Sequence, residues 1–302
     1  MAKSFQEYVE PYRITKGKGF RLKNISPSDT LGLGQDKEAA KAMLQEGVEA
    51  LRELQEKLYA QDNWALLVIL QGMDAAGKDS TINHVMSGVN PLGVEVTSFK
   101  TPSAEELDHD YMWRSARRFP ERGRIGIFNR SYYEEVLVVR VHPELLEAEK
   151  IPKGLVGKDV WAQRYEDIVA LERYLGRNGI CLRKFYLHLS HKEQRKRLLE
   201  RLDDSTRTWK FSAADTAERK YWDEYMEAYE EAIRGTATED APWFVVPADN
   251  KWFTRLVVAG ILVETLKEMK LAYPTVDAKQ RRELDTFRLT LQSEGKAKKP
   301  SG

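Results

Sequence analysis

Five short and almost uninterrupted apolar runs constrain the fold of this chain more than any other sequence feature. The first, Trp-Ala-Leu-Leu-Val-Ile-Leu at residues 64–70, ends at a glycine-rich stretch. Such runs are typical of strands that are buried on both faces of a parallel sheet. Segments with helical spacing lie between them, which predicts an α/β fold with a parallel five-stranded sheet sandwiched by helices. The predicted strands are residues 64–70, 94–99, 125–128, 181–189 and 244–246. The predicted helices are residues 37–60, 78–88, 103–118, 131–140, 159–177, 190–203, 217–234 and 252–272.

The glycine-rich stretch, Gly-Met-Asp-Ala-Ala-Gly-Lys-Asp-Ser at residues 72–80, connects the first predicted strand to a helix. It fits the pattern G-x-x-x-x-G-K, although Asp79 stands where Ser or Thr usually follows and Ser80 comes one position late. Glycines let backbone N–H groups curl round a phosphate, and Lys78 adds a point charge at the helix N-terminus. The stretch therefore predicts a phosphate-binding loop rather than an ordinary turn with a surface lysine. Its predicted binding residues are Gly72, Ala75, Ala76, Gly77, Lys78, Asp79 and Ser80.

Asp74 is an unusual residue within such a loop, because a carboxylate repels a phosphate unless a cation lies between them. Mg²⁺, or Mn²⁺ in its place, suits this position, since Mg²⁺ takes oxygen ligands and bridges to phosphates. Two other roles stay open for Asp74: accepting the proton of an attacking group, and capping the turn.

The third predicted strand ends in Asn129 and Arg130, at the sheet edge where α/β proteins bind ligands. Asn129 stands where a Walker B strand usually has Asp, and it is a weaker metal ligand, so Asp74 would have to hold more of the Mg²⁺. Arg130 can neutralise charge on a transferring phosphoryl group. A structural salt bridge is the alternative role for Arg130.

Positive charge is concentrated in two stretches, although Lys plus Arg total 48 against 47 Asp plus Glu. That balance excludes a globally basic nucleic-acid-binding protein. Residues 114–130 carry six arginines against one glutamate, and residues 195–210 carry six basic residues against three acidic ones. We expect both stretches to line the path of a phosphate chain, the second as part of a lid. The residues expected to contribute are Lys100, Arg114, Arg201, Arg207 and Lys210, whereas Arg195 and Lys196 are expected on a solvated helix face.

The remaining features indicate a soluble, cytoplasmic protein without membrane or nucleic-acid partners. The longest apolar run is too short to cross a bilayer, and the N-terminus lacks the apolar core of a secretory signal. Cys181 is the single cysteine, so neither a disulfide nor a cysteine-based zinc site is expected. We expect an N-terminal arm at 1–34 and one α/β domain at 35–275 with a lid at about 200–216. The remainder, 276–302, is expected to be a C-terminal helix followed by a disordered tail that begins at Gln292.

Five segments in order resemble the polyphosphate kinase 2 family over residues 12–273. They are GMDAAGKDS, SFKTPSAEELDHDYMWR, GRIGIFNRSYYEEVLVVRVHPE, RLDDSTRTWKFSAADTAERKYWDEY and APWFVVPADNKW. The resemblance implies a P-loop kinase fold related to thymidylate kinase, with a helical lid. It also implies Mg²⁺-dependent phosphoryl transfer between inorganic polyphosphate and nucleoside mono- or diphosphates, in a homodimer or homotetramer.

The resemblance extends to particular positions and to a branch of the family. The matching positions are Asp74, Lys78, Lys100, Arg114, Arg130, Arg201 and Lys210, with Asn129 where many members have Asp and Arg207 in a more variable stretch. Asn129 together with SYYEEVLVVRV resembles the branch that accepts both AMP and ADP and makes ATP from AMP in two steps.

Two other functions remain open from the sequence. One is an ATP-dependent nucleoside monophosphate kinase of the same fold. The other is a non-catalytic P-loop sensor or polyanion-binding module, although the presence of both Asp74 and Lys78 argues against it.

Overall fold

The computed structural model describes residues 5–33, 37–206 and 217–296. Within these ranges six strands form one sheet in the order β1-β6-β5-β2-β4-β3, and every neighbouring pair is parallel except β1 with β6. The strands are β1 Arg13–Ile14, β2 Ala65–Gln71, β3 Val94–Ser98, β4 Ile125–Asn129, β5 Ile180–His188 and β6 Trp243–Pro247.

The five predicted parallel strands are confirmed, but the sheet also has a sixth strand that the sequence did not predict. This strand, β1, comes from the N-terminal arm and pairs Arg13 with Phe244 and Ile14 with Trp243. Two residues are too few to produce a strand pattern in the sequence. The sheet therefore has one strand more than the five that were expected, and this additional strand is antiparallel and lies at the edge.

Helices cover both faces of the sheet. Leu51 and Leu58 of α2 are fully buried against one face together with α3 and α11, and Ile168 of α8 and Ile233 of α10 are buried against the other. The helices of the described part are α1 Phe5–Val9, α2 Lys37–Gln61, α3 Lys78–Val85, α4 Ala104–Leu107, α5 Trp113–Ala116, α6 Val138–Val141, α7 Glu144–Ala148, α8 Val160–Arg177, α9 His191–Asp203, α10 Trp222–Thr236, α11 Lys251–Glu268 and α12 Ala278–Lys296. None of these helices is long and apolar enough to cross a membrane.

Three of the predicted segments differ in detail from the structure. The helix predicted at 103–118 is split into α4 and α5, because the side chain of Asp110 accepts a hydrogen bond from the backbone of Met112 and forms a turn between them. The helix predicted at 131–140 is a 3₁₀ turn, Tyr132–Val136, followed by α6. The tail was predicted to begin at Gln292, but α12 continues to Lys296.

The topology fixes where a ligand can bind. Strand β2 lies between β4 and β5, so the chain leaves β2 toward one side of the sheet and later returns to its other side. In open α/β sheets ligands bind at such a switch point, outside the carboxyl ends of the strands. The loop at 72–77 follows β2 at this point.

Candidate active site

The loop after β2 is a tight turn with three residues in left-handed conformations. The φ angles are 156° at Gly72, 63° at Ala75 and 104° at Gly77. A Cβ atom on Gly72 would lie 3.1 Å from the backbone oxygen of Leu187, so glycine is needed there for space as well as for the angle. Helix α3 begins directly after Gly77, which gives the loop the form of a phosphate-binding site.

Three of the predicted site residues converge on this loop. The Nη2 atom of Arg130 lies 2.9 Å from Oδ1 of Asp74, and its Nη1 atom lies 3.4 Å from Oε2 of Glu134. The Nζ atom of Lys78 donates to the backbone oxygen of Gly72 at 2.6 Å. Burial lowers the pKa of Lys78, and the neighbouring charge of Arg130 lowers it further. The carboxylate of Glu134 is the main cause of a raised pKa at Arg130. Two cations and two carboxylates thus surround the mouth of the loop.

Asn129 joins the end of β4 to the first turn of α3. Its Nδ2 atom donates to Oδ1 of Asp79 at 2.6 Å. Its Oδ1 atom is buried and has no hydrogen-bond partner within the described residues. Since the carboxylate of Asp79 requires the amide nitrogen on its side, the oxygen of Asn129 is left as an acceptor to which no described residue donates.

The backbone of Arg130 is strained, with a φ angle of 63°. An ordinary residue in this region costs on the order of 1–3 kcal/mol, and it persists only where the surroundings fix it. Here the backbone N–H of Arg130 donates to Leu70 of β2 at 3.0 Å. The next residue, Ser131, is fully buried, and its Oγ atom accepts from the side chain of Gln71 and from the backbone of Tyr133.

A buried charged cluster holds the turn after Arg130 in place. The hydroxyls of Tyr132 and Tyr133 both donate to Oε1 of Glu172, at 3.1 and 2.7 Å. Lys184 of β5 donates to the other carboxylate oxygen of Glu172 at 2.6 Å and to the backbone of Thr236. Burial raises the pKa of Glu172 and lowers that of Lys184. Sequence analysis missed Glu172, although it shares the inward face of α8 with Ile168 and Leu175.

Helix α9 binds the other side of the phosphate loop. Gln194 donates to the backbone oxygen of Asp74 at 3.0 Å. The guanidinium of Arg197 donates to Ala75 and Ala76, and also to Ala248 and Asp249 in the loop after β6. Both side chains are buried. The sequence offered one signal for them, because Gln194, Arg197 and Leu198 have the i, i+3, i+4 spacing of an inward helix face.

A cavity of about 300 Å³ opens beside the loop. Arg114 and Arg130 both line it, and Phe99, Val138 and Val139 contribute apolar surface. The guanidinium of Arg114 is buried, donates to the backbone oxygen of Lys100 at 2.8 Å and lies over the ring of Phe99. The full lining is Phe99, Lys100, Thr101, Pro102, Glu106, Leu107, His109, Tyr111, Arg114, Arg130, Glu134, Glu135, Val138, Val139, Leu145, Ala148 and Glu149.

The arginine-rich stretch at 114–130 does not line one path, contrary to expectation. Arg114 and Arg130 reach the cavity, but Arg122 and Arg124 donate to the backbone oxygens of Asn63 and Leu92. Those contacts lie at the opposite edge of the sheet, because Arg122 and Arg124 come before β4 and not after it. These arginines are close together in the sequence, but the length of β4 separates Arg122 and Arg124 at one end from Arg130 at the other.

The predicted lid is only partly described. Arg201 lies in the last turn of α9 and is half-buried, whereas Arg207 and Lys210 lie outside the described residues. Arg195 and Lys196 are exposed on α9, as expected. Arg219, which follows the segment that is not described, donates to Oε1 of Gln194 at 2.6 Å, so this part of the chain is attached to the same helix.

Ser80, predicted as a phosphate-binding residue, lies in the first turn of α3. Its hydroxyl oxygen accepts a hydrogen bond from Nη2 of Arg255 in α11 at 2.8 Å.

The donors at the loop fit a magnesium ion that is shared with phosphates. No cluster of three or more His, Cys, Asp or Glu side chains is arranged to hold a metal within the described residues. Mg²⁺, however, usually takes only one or two protein carboxylates and completes its shell with water and substrate phosphate oxygens. Asp74 offers one such carboxylate, and the Oδ1 atom of Asn129, which has no hydrogen-bond partner in the described part of the chain, is a second oxygen.

The fold and this loop define a P-loop kinase: a parallel sheet with a glycine-rich loop at its switch point, a lysine at the helix start and an arginine after the neighbouring strand. Residues 34–274 match the family of polyphosphate kinase 2 (PPK2). The chain belongs to this family.

Individual relatives agree with the family match. The chain is 52% identical over 258 residues to an ADP-polyphosphate phosphotransferase of Rhodopseudomonas palustris, covering 85% of this chain and 89% of that protein. It is 46% identical over 266 residues to an AMP/ADP-polyphosphate phosphotransferase of Meiothermus ruber, covering 88% and 96%. The crystal structure of polyphosphate kinase 2 from Arthrobacter aurescens TC1 superposes with a TM-score of 0.83 at 40% identity, covering 94% of this chain and 97% of that one.

Proposed function

We propose that this chain transfers phosphoryl groups between inorganic polyphosphate and adenine nucleotides, converting AMP to ADP and ADP to ATP. The observation that carries the proposal is the convergence of Asp74, Lys78 and Arg130 on the phosphate loop of a PPK2-family chain. The names of the two relatives, one an ADP and one an AMP/ADP phosphotransferase, support the choice of acceptors.

In the transfer step, a terminal phosphate oxygen of the nucleotide attacks the terminal phosphorus of polyphosphate. One P–O bond forms, the terminal anhydride P–O bond breaks, and a polyphosphate shorter by one phosphate leaves. A phosphate ester has its second pKa near 6, so the attacking oxygen is mostly ionised at neutral pH and no general base is required. Asp74 is therefore assigned to the metal rather than to proton transfer.

The side chains of the loop supply position and charge for this step. Lys78 and the loop backbone hold phosphate oxygens, and Arg130 neutralises charge that builds up on the transferring group. Arg201, Arg207 and Lys210 are proposed to hold the polyphosphate chain. Mg²⁺, held by Asp74 with Asn129 beside it, would offset the repulsion between donor and acceptor phosphates.

The cavity beside the loop is proposed to receive the nucleoside of the acceptor. Its two arginines, Arg114 and Arg130, lie where a phosphate could reach the loop, and Phe99 and Val138 offer apolar surface for a base. An apolar pocket with a few charged groups is typical of a small-ligand site. We also propose that the chain forms a homodimer or homotetramer, because the resemblance to the polyphosphate kinase 2 family implies one.

The decisive experiment supplies ADP, polyphosphate and Mg²⁺ with no other phosphoryl donor. We expect ATP to form, and its absence would favour an ATP-dependent nucleoside monophosphate kinase. A parallel reaction starts from AMP, and we expect ADP first and ATP later. ADP without ATP from AMP would reject the dual-acceptor assignment.

A second comparison tests the non-catalytic alternative. The variants Asp74→Ala and Lys78→Ala are expected to abolish nucleotide phosphorylation while polyphosphate still binds. A sensor or polyanion-binding module would keep its whole measurable function in both variants.

A further inference from the structure

Asp79 stands at the position of the phosphate loop that usually carries serine or threonine, directly after Lys78. In P-loop proteins the hydroxyl at that position binds Mg²⁺, and an aspartate at the end of a neighbouring strand helps to hold the ion. The corresponding residues here are Asp79 in the first turn of α3 and Asn129 at the end of β4. The negative charge has thus moved from the strand to the helix.

The side chains of Asp79 and Asn129 form a pair that joins these two elements. Nδ2 of Asn129 donates to Oδ1 of Asp79 at 2.6 Å, although the two residues are 50 positions apart in the chain. A loop hydroxyl that faces a strand carboxylate can only donate toward the strand, whereas here the strand amide donates toward the loop. The pair therefore has one donor and one negative charge, as in the usual arrangement, but each lies on the opposite element.

Asp79 and Asp74 both act on the lysine of the loop. Burial and the charge of Arg130 lower the pKa of Lys78, whereas the carboxylates of Asp74 and Asp79 oppose that shift. Both carboxylates thus lie within electrostatic reach of one ammonium group. Asp79 is exposed and the side chain of Asp74 is 28% exposed, so ions from solvent can reach both. Mg²⁺ at phosphate sites is bound by one or two carboxylates together with substrate phosphates, and these two residues supply that number.

We propose that Asp79 is a second carboxylate ligand of the Mg²⁺ at this loop, and that Asn129 positions it through their hydrogen bond. The inference rests on the proposed phosphoryl transfer, because the ion is the one that accompanies the phosphates. Asp79 supplies the negative charge that position 129 lacks, so Asp74 does not hold the ion alone. The amide of Asn129 is then required as a donor, which a carboxylate at the same position could not provide.

An exchange of the two side chains tests this pair in the full-length protein. Mn²⁺ alone is titrated into the nucleotide-free protein, and the free ion is measured by electron paramagnetic resonance. Asp79→Asn removes one carboxylate and is expected to weaken Mn²⁺ binding about tenfold, since affinity follows the charge of the ligand set. The double variant Asp79→Asn with Asn129→Asp restores one carboxylate and one donor, so it is expected to bind within about threefold of the wild type. Glu134→Gln is the matched control, because it removes a carboxylate beside Arg130 but outside the loop, and it is expected to leave Mn²⁺ binding unchanged.

Wild-type Mn²⁺ binding by Asp79→Asn would overturn the proposal, and so would a double variant that binds no better than Asp79→Asn. The Mg²⁺ concentration for half-maximal ATP formation should rise in Asp79→Asn and recover in the double variant. A wild-type protein that forms no ATP from ADP and polyphosphate would reject the proposed function, whatever the variants bind. An active wild type with unaltered Mn²⁺ binding in Asp79→Asn rejects this inference alone. Unchanged thermal unfolding of the variants excludes misfolding as the cause.

Discussion

Arg130 shows how the site depends on single residues. It bridges Asp74 and Glu134 from a strained backbone position, and its neighbours in the chain are buried and hydrogen-bonded. A guanidinium can contact two carboxylates at once because its donors form a rigid fork. The strain and the fork together fix where the positive charge lies relative to the loop.

The first prediction at this scale concerns the geometry of that charge. Arg130→Lys keeps the charge but cannot hold both carboxylates, so kcat is expected to fall about 10- to 100-fold. The loss should appear in kcat more than in the KM for the nucleotide, and thermal unfolding should change little. A variant with wild-type kcat would show that Arg130 contributes charge alone.

The second prediction at this scale concerns Asp74. Asp74→Asn retains the size of the side chain but removes the carboxylate assigned to Mg²⁺. We expect kcat to fall at least about 100-fold and the Mg²⁺ concentration for half-maximal rate to rise. Glu134→Gln is the matched control, because it also removes a carboxylate from Arg130 but lies outside the loop. If both variants show the same Mg²⁺ dependence as the wild type, Asp74 does not hold the metal.

At the scale of secondary-structure elements, α9 connects the phosphate loop, the loop after β6 and the chain that returns from the predicted lid. Gln194 contacts both Asp74 and Arg219, and Arg197 contacts four backbone oxygens. Helix α9 therefore holds these three segments of the chain together. The attachment also explains why a charged side chain, Arg197, is buried.

The prediction for α9 is a loss of stability on removing this attachment. Arg197→Met keeps much of the side-chain volume but leaves four backbone oxygens, two of them in fully buried contacts, without this donor. The free energy of unfolding should therefore fall by about 3 kcal/mol. Arg195→Ala, on the exposed face of the same helix, should change it by less than about 0.5 kcal/mol. Denaturant titration measures both, and equal effects of the two substitutions would contradict the assigned role of Arg197.

At the scale of the whole molecule, the N-terminal arm packs against elements that come much later in the sequence. It adds β1 to the sheet edge, and its backbone at Ile25 contacts the imidazole of His188 at the end of β5. Burial lowers the pKa of His188 to about 4. The folded protein therefore keeps this histidine neutral over a pH range in which the unfolded chain protonates it.

The free energy of unfolding should therefore depend on pH, because the pKa of His188 differs between the folded and the unfolded chain. An unfolded histidine has a pKa near 6.5, so between pH 6.5 and about 4 the unfolded state binds one more proton, and stability falls as pH falls. The contribution is at most about 1.4 kcal/mol per pH unit, or about 3 kcal/mol in total. His188→Gln should show a correspondingly shallower loss of unfolding free energy in this range, measured by denaturant titration at several pH values. Parallel curves for the two proteins would contradict this.

The sequence determined the parallel sheet and the phosphate loop, because both rest on local patterns. Strands buried on both faces are continuous apolar runs, and the loop needs Gly72 and Gly77 at fixed spacing for its backbone angles. Asp74, Lys78 and Arg130 could be named for the same reason, since each stands directly beside such a pattern.

Only the tertiary structure decided which distant side chains meet. Glu172 and Lys184 bring together a helix and the strand that follows it, and Arg197 reaches loop oxygens that lie 121 and 122 residues earlier in the chain. All three are charged residue types that usually lie on the surface, so none of them taken alone predicts a buried contact. The two-residue strand β1 and the separation of Arg122 and Arg124 from the site likewise follow from strand order and direction. Local propensity cannot encode these, because the free energy that selects them comes from burying and pairing groups that the sequence keeps apart.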